Sequence, residues 1–174
     1  MDFTFNEEQQ MLRDTIRDFV NAEVKPLAAR IDKEKKIPQD LLAQIRDLGF
    51  LGVPFPEEYG GGGFGETGLC IFMEEITRGC FSTAVVCGGH TSIGAQAIYL
   101  VGTEEQKQRY LPDLCAGNKW AAYALTEADS GSDAGAMAMT ATPERVDWIL
   151  EGNMIWISHG DFAVVIITFA GNVR

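Results

Sequence analysis

Histidine is scarce in this chain, with two residues, and cysteine is little commoner, with four. His90 and His159 stand far apart, and Cys70, Cys80, Cys87 and Cys115 form no C-x-x-C pair. The ligand spacing of a structural zinc site is therefore missing. Thiols so placed read as reduced and mostly buried. Positive charge is also short: 14 Lys and Arg face 25 Asp and Glu, for a net charge of −11. The deficit is shared along the chain, 11 against 18 in residues 1–117 and 3 against 7 in residues 118–174. No basic segment is hidden by the total, which argues against nonspecific nucleic-acid binding and against docking on anionic lipid. No apolar run approaches the roughly 20 residues of a membrane span. The N-terminus is acidic and amphipathic rather than basic and apolar, so no signal peptide is expected. Internal repeats and low-complexity linkers are missing as well. The expectation is a soluble protein of a reducing compartment.

What is present suits a packed fold. The 174 residues are 46% hydrophobic, enough for one large domain or two small ones. Asn6 with Gln9 three residues on reads as a capping box. Met11, Leu12, Ile16, Phe19, Val20 and Val24 then share one helical face. Pro38 suits a first helical position, and Leu41, Leu42, Ile45 and Leu48 continue a second helix that Gly49 stops. A third helix carries Leu69, Phe72, Met73 and Ile76, and a more apolar fourth runs from about Thr83 to Leu100. Thr103 and Gln106 form another capping box, for a short helix ending near Pro112. After Gly117 the period changes. Residues 121–126, 137–142, 148–150, 154–158 and 164–169 read as short strands. Helices first and strands afterwards predict an α+β chain, with an all-helical unit at 1–117 and an incomplete, barrel-like β-sheet unit at 118–174.

Two stretches carry candidate chemistry. In Trp120-Ala-Ala-Tyr123-Ala-Leu125-Thr126-Glu127-Ala-Asp129-Ser130-Gly131-Ser132-Asp133 an apolar strand opens into a loop of small polar residues. Such a loop gathers hydroxyls and backbone N–H groups suited to an anionic ligand. Thirty residues after Thr126, Trp156 and Ser158 are two apart, which on a strand places both on one face. His159 then falls on the opposite face and reads as a surface or interface residue, whereas His90 in an apolar helix reads as a satisfied core or pocket residue.

These stretches resemble the flavin-binding signatures of the acyl-CoA dehydrogenase family. Phe3-Thr-Phe5-Asn6-Glu-Glu-Gln9, Gly49-Phe-Leu-Gly52-Val-Pro54 with Pro56-Glu-Glu-Tyr59-Gly60-Gly61, and Gly102-Thr103-Glu-Glu105-Gln106-Lys107 with Tyr110-Leu-Pro112 resemble further family segments, in order along nearly the whole chain. The resemblance implies bound FAD. Tyr123, Leu125 and Thr126 would line the pyrimidine edge of the flavin, and Gly131 and Ser132 would reach the pyrophosphate. Ser132 would also lie near the acyl-CoA substrate, Trp156 would pack on the ring, and Ser158 would sit near N5. It implies oxidation of an acyl-CoA to a trans-2-enoyl-CoA, electrons passing to an electron-transfer flavoprotein. A homo-oligomer, a tetramer by analogy, is implied too, in a bacterial cytoplasm or a mitochondrial matrix. Alternatives within the resemblance are an acyl-CoA oxidase-type enzyme and a truncated, non-catalytic paralogue that binds acyl-CoA or serves as a structural subunit.

The resemblance does not supply every part. The family's glutamate base comes from a C-terminal helical bundle that has no counterpart in these 174 residues, so no catalytic residue is assigned. The expectation is an unpaired sheet edge after residue 169, with one of three outcomes: a partner chain completes the fold, the rest of the protein was removed or unsequenced, or the fragment is marginally stable. Glu74 and Glu75 read as solvated or in ordinary ion pairs, not as substitutes for the base. Gly60-Gly-Gly-Gly63-Phe-Gly65 lacks a preceding strand and reads as a flexible inter-helix turn, not a dinucleotide fingerprint. Met154, Val164 and Arg145-Val146-Asp147 depart from the family pattern.

Overall fold

The capping box predicted at Asn6 starts the first helix. In a computed structural model describing residues 4–172, Asn6 Oδ1 accepts the Gln9 N–H at 2.8 Å, and Gln9 Oε1 accepts the Asn6 N–H at 3.1 Å. Phe3, part of the opening motif, lies outside the described residues. Helix α1 (Glu7–Phe19) continues through a wide turn at Val20–Val24 and a tight one at Lys25–Leu27 into α2 (Ala28–Glu34). Pro26, which has no N–H to donate, sits in the tight turn. There follow α3 (Gln39–Asp47), α4 (Gly65–Gly79) and α5 (Phe81–Gly88), then a wide-turn segment at Gly89–Ala95, α6 (Gln96–Val101) and α7 (Glu104–Cys115). The second capping box holds at Thr103 and Gln106. Pro112 does not end its helix, which runs on to Cys115 because Leu111, Leu114 and Cys115 are buried in the core. Tertiary burial here overrides the proline signal.

One core gathers Ile16 of α1 and Val20 and Val24 of the wide turn after it with Leu41, Ile45, Phe50, Phe72 and Ile76. A second joins Phe55, Tyr59, Ile98, Leu111 and Leu114 to Ala121. Met11 is an exception to its predicted face. It is 70% exposed and, with Leu12, Leu48 and Phe64, borders a surface groove. Cys80, Cys87 and Cys115 are buried and Cys70 is exposed, all of them free thiols. The helical run Phe81–Val101 has the length and composition to cross a membrane, contrary to the reading of its sequence. Its polar residues Thr83, His90, Thr91 and Gln96 are buried against the rest of the chain, while Phe81, Leu100 and Val101 at its ends are exposed.

Glu75 is in ion pairs, one of the two readings of its sequence, but it is not solvated. It is buried, and its carboxylate takes Arg13 Nε at 3.1 Å and Arg17 Nη2 at 2.6 Å, with Arg78 on its other oxygen. The glutamate thus ties α1 to α4. The Gly60–Gly65 loop is likewise ordered by bonding. The N–H groups of Gly61, Gly62 and Gly63 donate to Pro56, Gly52 and Phe55 carbonyls. A Cβ on Gly61 would stand 2.0 Å from the Phe55 carbonyl oxygen. Glycine is needed there for close approach as much as for turning.

Strands begin where the helices end. Strand β1 (Ala121–Ala124) pairs in parallel with β4 (Val165–Thr168), with Ala121 opposite Val165. Strand β2 (Thr140–Glu144) pairs antiparallel with β3 (Asp147–Glu151) and in parallel with β5 (Gly171–Asn172). The hairpin between β2 and β3 forms without glycine, through Arg145 at φ +56°. Neither sheet closes on itself among the described residues, and Trp148, Ile149, Leu150, Val164 and Ile166 keep exposed apolar side chains. The 154–158 strand is not formed.

The junction of helices and sheet is built on Ala121. A Cβ on Gly94 would meet the Ala121 Cβ at 2.6 Å, so the helical backbone lies directly on β1. His90 reaches across this contact. Its Nδ1 accepts the Ala121 N–H at 3.1 Å, and its Nε2–H donates to the Leu114 carbonyl at 2.9 Å. Those partners fix a neutral imidazole, and burial pushes its pKa from 6.5 down to about 4.

Two predictions follow from this packing. Gly61→Ala should lower unfolding stability by about 1–3 kcal/mol, because backbone must move to admit the methyl; a denaturation midpoint equal to wild type would contradict the close-approach reading. Acid should destabilise the chain in two windows. The unfolded chain protonates histidine first, so stability falls between pH 6.5 and about 4 through His90. It falls again between pH 4.5 and about 2 through Glu75, whose pKa is held down by hydrogen bonds from Arg17, Arg13 and Arg78. Each step is at most about 3 kcal/mol. Denaturant titrations across pH should show both, and Glu75→Gln should remove only the lower one.

Candidate functional site

Strand β1 is short because its side chains are small and its end is committed elsewhere. Ala121, Ala122 and Ala124 are buried, while Tyr123 is half-buried with its ring 4.9 Å from that of Phe169. Beyond Ala124 the chain leaves the sheet. The Glu127 N–H donates to the Ser130 carbonyl at 2.7 Å, and Ser130 Oγ donates to the Asp133 carbonyl at 2.9 Å. These two bonds close a compact loop.

The loop's charge is turned inward. Glu127 is 8% exposed, and its two carboxylate oxygens accept the Ala138 and Met139 N–H groups at 2.8 Å each. A carboxylate satisfied in this way repels an anion on the loop's outer side less than a free one would. That outer side holds unused donors. Among the described residues, neither the Thr126 and Ser132 hydroxyls nor the Gly131 and Ser132 N–H groups have a hydrogen-bond partner. A Cβ on Gly131 would meet only Thr126 Cγ2, at 3.7 Å. The chain's own packing therefore does not require glycine at 131. Asp129 and Asp133 are exposed.

The second predicted segment is brought to the first by one bond, from the Ile155 N–H to the Thr126 carbonyl at 2.9 Å. Residues 153–157 are irregular, and Trp156 takes φ +61° with 87% of its surface exposed. The shared strand face of Trp156 and Ser158 is thus not formed. The run Met154-Ile-Trp156-Ile-Ser158 is apolar at nearly every position, so it has no clear period of two to hold it in a sheet. Ser158 is exposed and opens a tight turn closed by the Phe162 and Ala163 N–H groups on the His159 carbonyl.

His159 is the clearest correction. It is 6% exposed rather than at the surface, and its Nδ1 lies 3.0 Å from the Ala121 carbonyl. Its ring packs on Trp120 and Phe162, with centroids 5.4 and 5.0 Å away. Sequence gave no sign of this, because the partner lies 38 residues earlier. Nor did it mark Trp120 as the centre of an aromatic cluster, its ring tilted against that of His90 at 4.8 Å.

A cleft of about 750 Å³ lies beside this cluster, lined by Ile37, Leu42, Val86, Trp120 and Phe162 with Lys35 and Lys36 at its rim. None of the seven predicted site residues lines it. The structure therefore gathers Thr126, Gly131 and Ser132 on one loop and ties Trp156 and Ser158 nearby, on an open surface.

Comparison with known proteins gives this arrangement its family. Residues 6–118 match the model of the acyl-CoA dehydrogenase N-terminal domain. A short-chain-specific acyl-CoA dehydrogenase of Clostridium acetobutylicum is 39% identical over 170 residues, which are 98% of this chain and 45% of that protein. A Bacillus anthracis acyl-CoA dehydrogenase solved in complex with FAD superposes with a TM-score of 0.86 at 38% identity, over 97% of this chain and 29% of that one. Butyryl-CoA dehydrogenase from Megasphaera elsdenii gives 0.89 at 30% identity, over 98% of this chain and 45% of that one. The chain spans less than half the length of these relatives. With the helical unit, the ordered Gly60 loop and the Thr126 loop each in the family's order, the chain belongs to the acyl-CoA dehydrogenase family.

Proposed function

We propose that residues 118–174 carry the FAD-binding part of an acyl-CoA dehydrogenase and that residues 1–117 are its helical partner domain. The observation that carries this reading is the Thr126 loop, with donors free on its outer side and its glutamate satisfied within. FAD, when bound, accepts the hydride that leaves the β-carbon of an acyl-CoA. The part of this chain is to hold and orient. Thr126 offers a hydroxyl where the flavin's pyrimidine edge would gather charge, a fixed donor that needs no reorganisation. Gly131 and Ser132 offer N–H and hydroxyl donors to the pyrophosphate, and Ser132 faces the acyl-CoA as well. Tyr123 and Leu125 continue the same edge. Trp156 and Ser158 cover the ring and its reactive side, which gives an exposed indole a surface to bury against.

The general base that takes the α-proton is not among these residues, and Glu75, bound by three arginines, cannot serve as one. In this reading the product is a trans-2-enoyl-CoA. Electrons pass to an electron-transfer flavoprotein, and the protein works as a homo-oligomer in the bacterial cytoplasm or the mitochondrial matrix.

Titration of the chain with FAD, followed by quenching of flavin fluorescence, tests the reading. Saturable binding is expected, and Thr126→Val should weaken it about tenfold through one lost hydrogen bond, with the thermal midpoint unchanged. Absence of saturable binding, or equal affinity in the variant, would count against the assignment.

A further inference from the structure

We propose that His159 is a positioning residue for the cofactor site, acting through the δ-nitrogen of its ring on the turn that carries Trp156 and Ser158. This rests on the flavin reading of that turn, but its geometry stands apart from it. The Ala121 carbonyl can only accept, so the contact at 3.0 Å requires a proton on His159 Nδ1. The same residue's N–H donates to His90 Nδ1 at 3.1 Å. Ala121 is thus held from both of its peptide groups by two imidazoles of different elements, one from the helical run and one from the turn. Trp120 packs against both rings, with centroids 4.8 Å from His90 and 5.4 Å from His159.

The bracket fixes where the turn stands. Two other bonds tie it down: the Ile155 N–H reaches the Thr126 carbonyl, and the Val164 N–H reaches the Trp120 carbonyl at 3.0 Å. Both are backbone bonds at its ends. His159 is the side chain that holds its middle, three residues after Trp156 and next to Ser158. Trp156 at φ +61° is a conformation that a bulky residue rarely adopts unless its surroundings impose it. His159 Nε2 is buried and has no partner, so the ring's contribution lies at its δ edge.

That asymmetry can be tested by substitution. His159 itself takes φ +67°, a conformation asparagine tolerates better than glutamine, so the variant ranking is read together with the tautomer of the wild-type ring. The amide nitrogen of asparagine lies as many bonds from Cα as Nδ1 of histidine, whereas that of glutamine lies one bond farther, near the idle ε edge. Hydrogen–deuterium exchange on the chain should therefore rank the variants. His159→Gln should speed exchange in residues 156–162 roughly tenfold, the equivalent of one lost hydrogen bond, and His159→Asn should stay near wild type. The Ile16–Val24 core should be unchanged in both. FAD affinity should follow the same order. Equal protection by Gln and Asn, faster exchange in Asn than in Gln, or a uniform rise across the whole chain would overturn the proposal. If the wild-type chain binds no FAD, the flavin reading falls, while the exchange ranking together with the tautomer of the wild-type imidazole still decides what His159 does. Should the Gln variant not fold, imidazole nitrogen NMR of the wild type decides: Nδ1 protonated and Nε2 bare supports the proposal, and the reverse tautomer contradicts it.

Discussion

The contact of Gly94 with Ala121 is the constraint from which the rest of the site is hung. Backbone meets strand there with no room for a methyl, and His90 converts that closeness into hydrogen bonds to Ala121 and Leu114. Strand β1 is therefore placed by the helical unit before it is placed by its sheet partner. Thr126 lies two residues past the end of that strand. The donors of the loop are thus aimed by a packed core and not by a free-standing hairpin, the arrangement a preorganised site needs.

Charge is handled in the same spirit throughout. Each buried carboxylate is matched: Glu75 by three arginines, Glu127 by two backbone N–H groups. The first match joins two helices, and the second folds a loop whose Thr126, Gly131 and Ser132 donors are left without partners beside the exposed Asp129 and Asp133. Tyr59 is treated alike, its hydroxyl donating to Glu104 at 3.0 Å and its pKa pushed up to about 12, chiefly by burial. An acidic chain can in this way present a surface suited to an anion.

Much of this was readable from sequence where local chemistry decides. The capping boxes at Asn6 and Thr103 and most of the apolar faces of α1, α3 and α4 need only neighbours three or four residues away, and they form as read, with Met11 and Leu48 left exposed. The sequence motifs of the Thr126 loop also marked where free donors gather. Long-range burial was not legible. Pro112 reads as a stop, yet the burial of Leu114 and Cys115 carries the helix past it. Glu75 reads as solvated or in an ordinary ion pair; its burial, and the arrival of Arg13 and Arg17 beside the local Arg78, come from the crossing of α1 over α4. Period two placed His159 outside, because an apolar run such as 154–157 carries no alternation to specify a face, and Ala121 drew the ring inward. Each miss is a contact between residues far apart in the chain, where local pattern has no information.

The central claim is that the outer face of the 126–132 loop is an FAD site. Backbone amide NMR of the isotopically labelled chain during addition of FAD tests it most directly. The account predicts saturable shifts centred on Thr126, Gly131 and Ser132, with a matching change in the indole signal of Trp156 and none in Ala138 or Met139, whose N–H groups are already bound to Glu127. Shifts confined to the residues lining the cleft beside Trp120 and Phe162, or none at all, would contradict it.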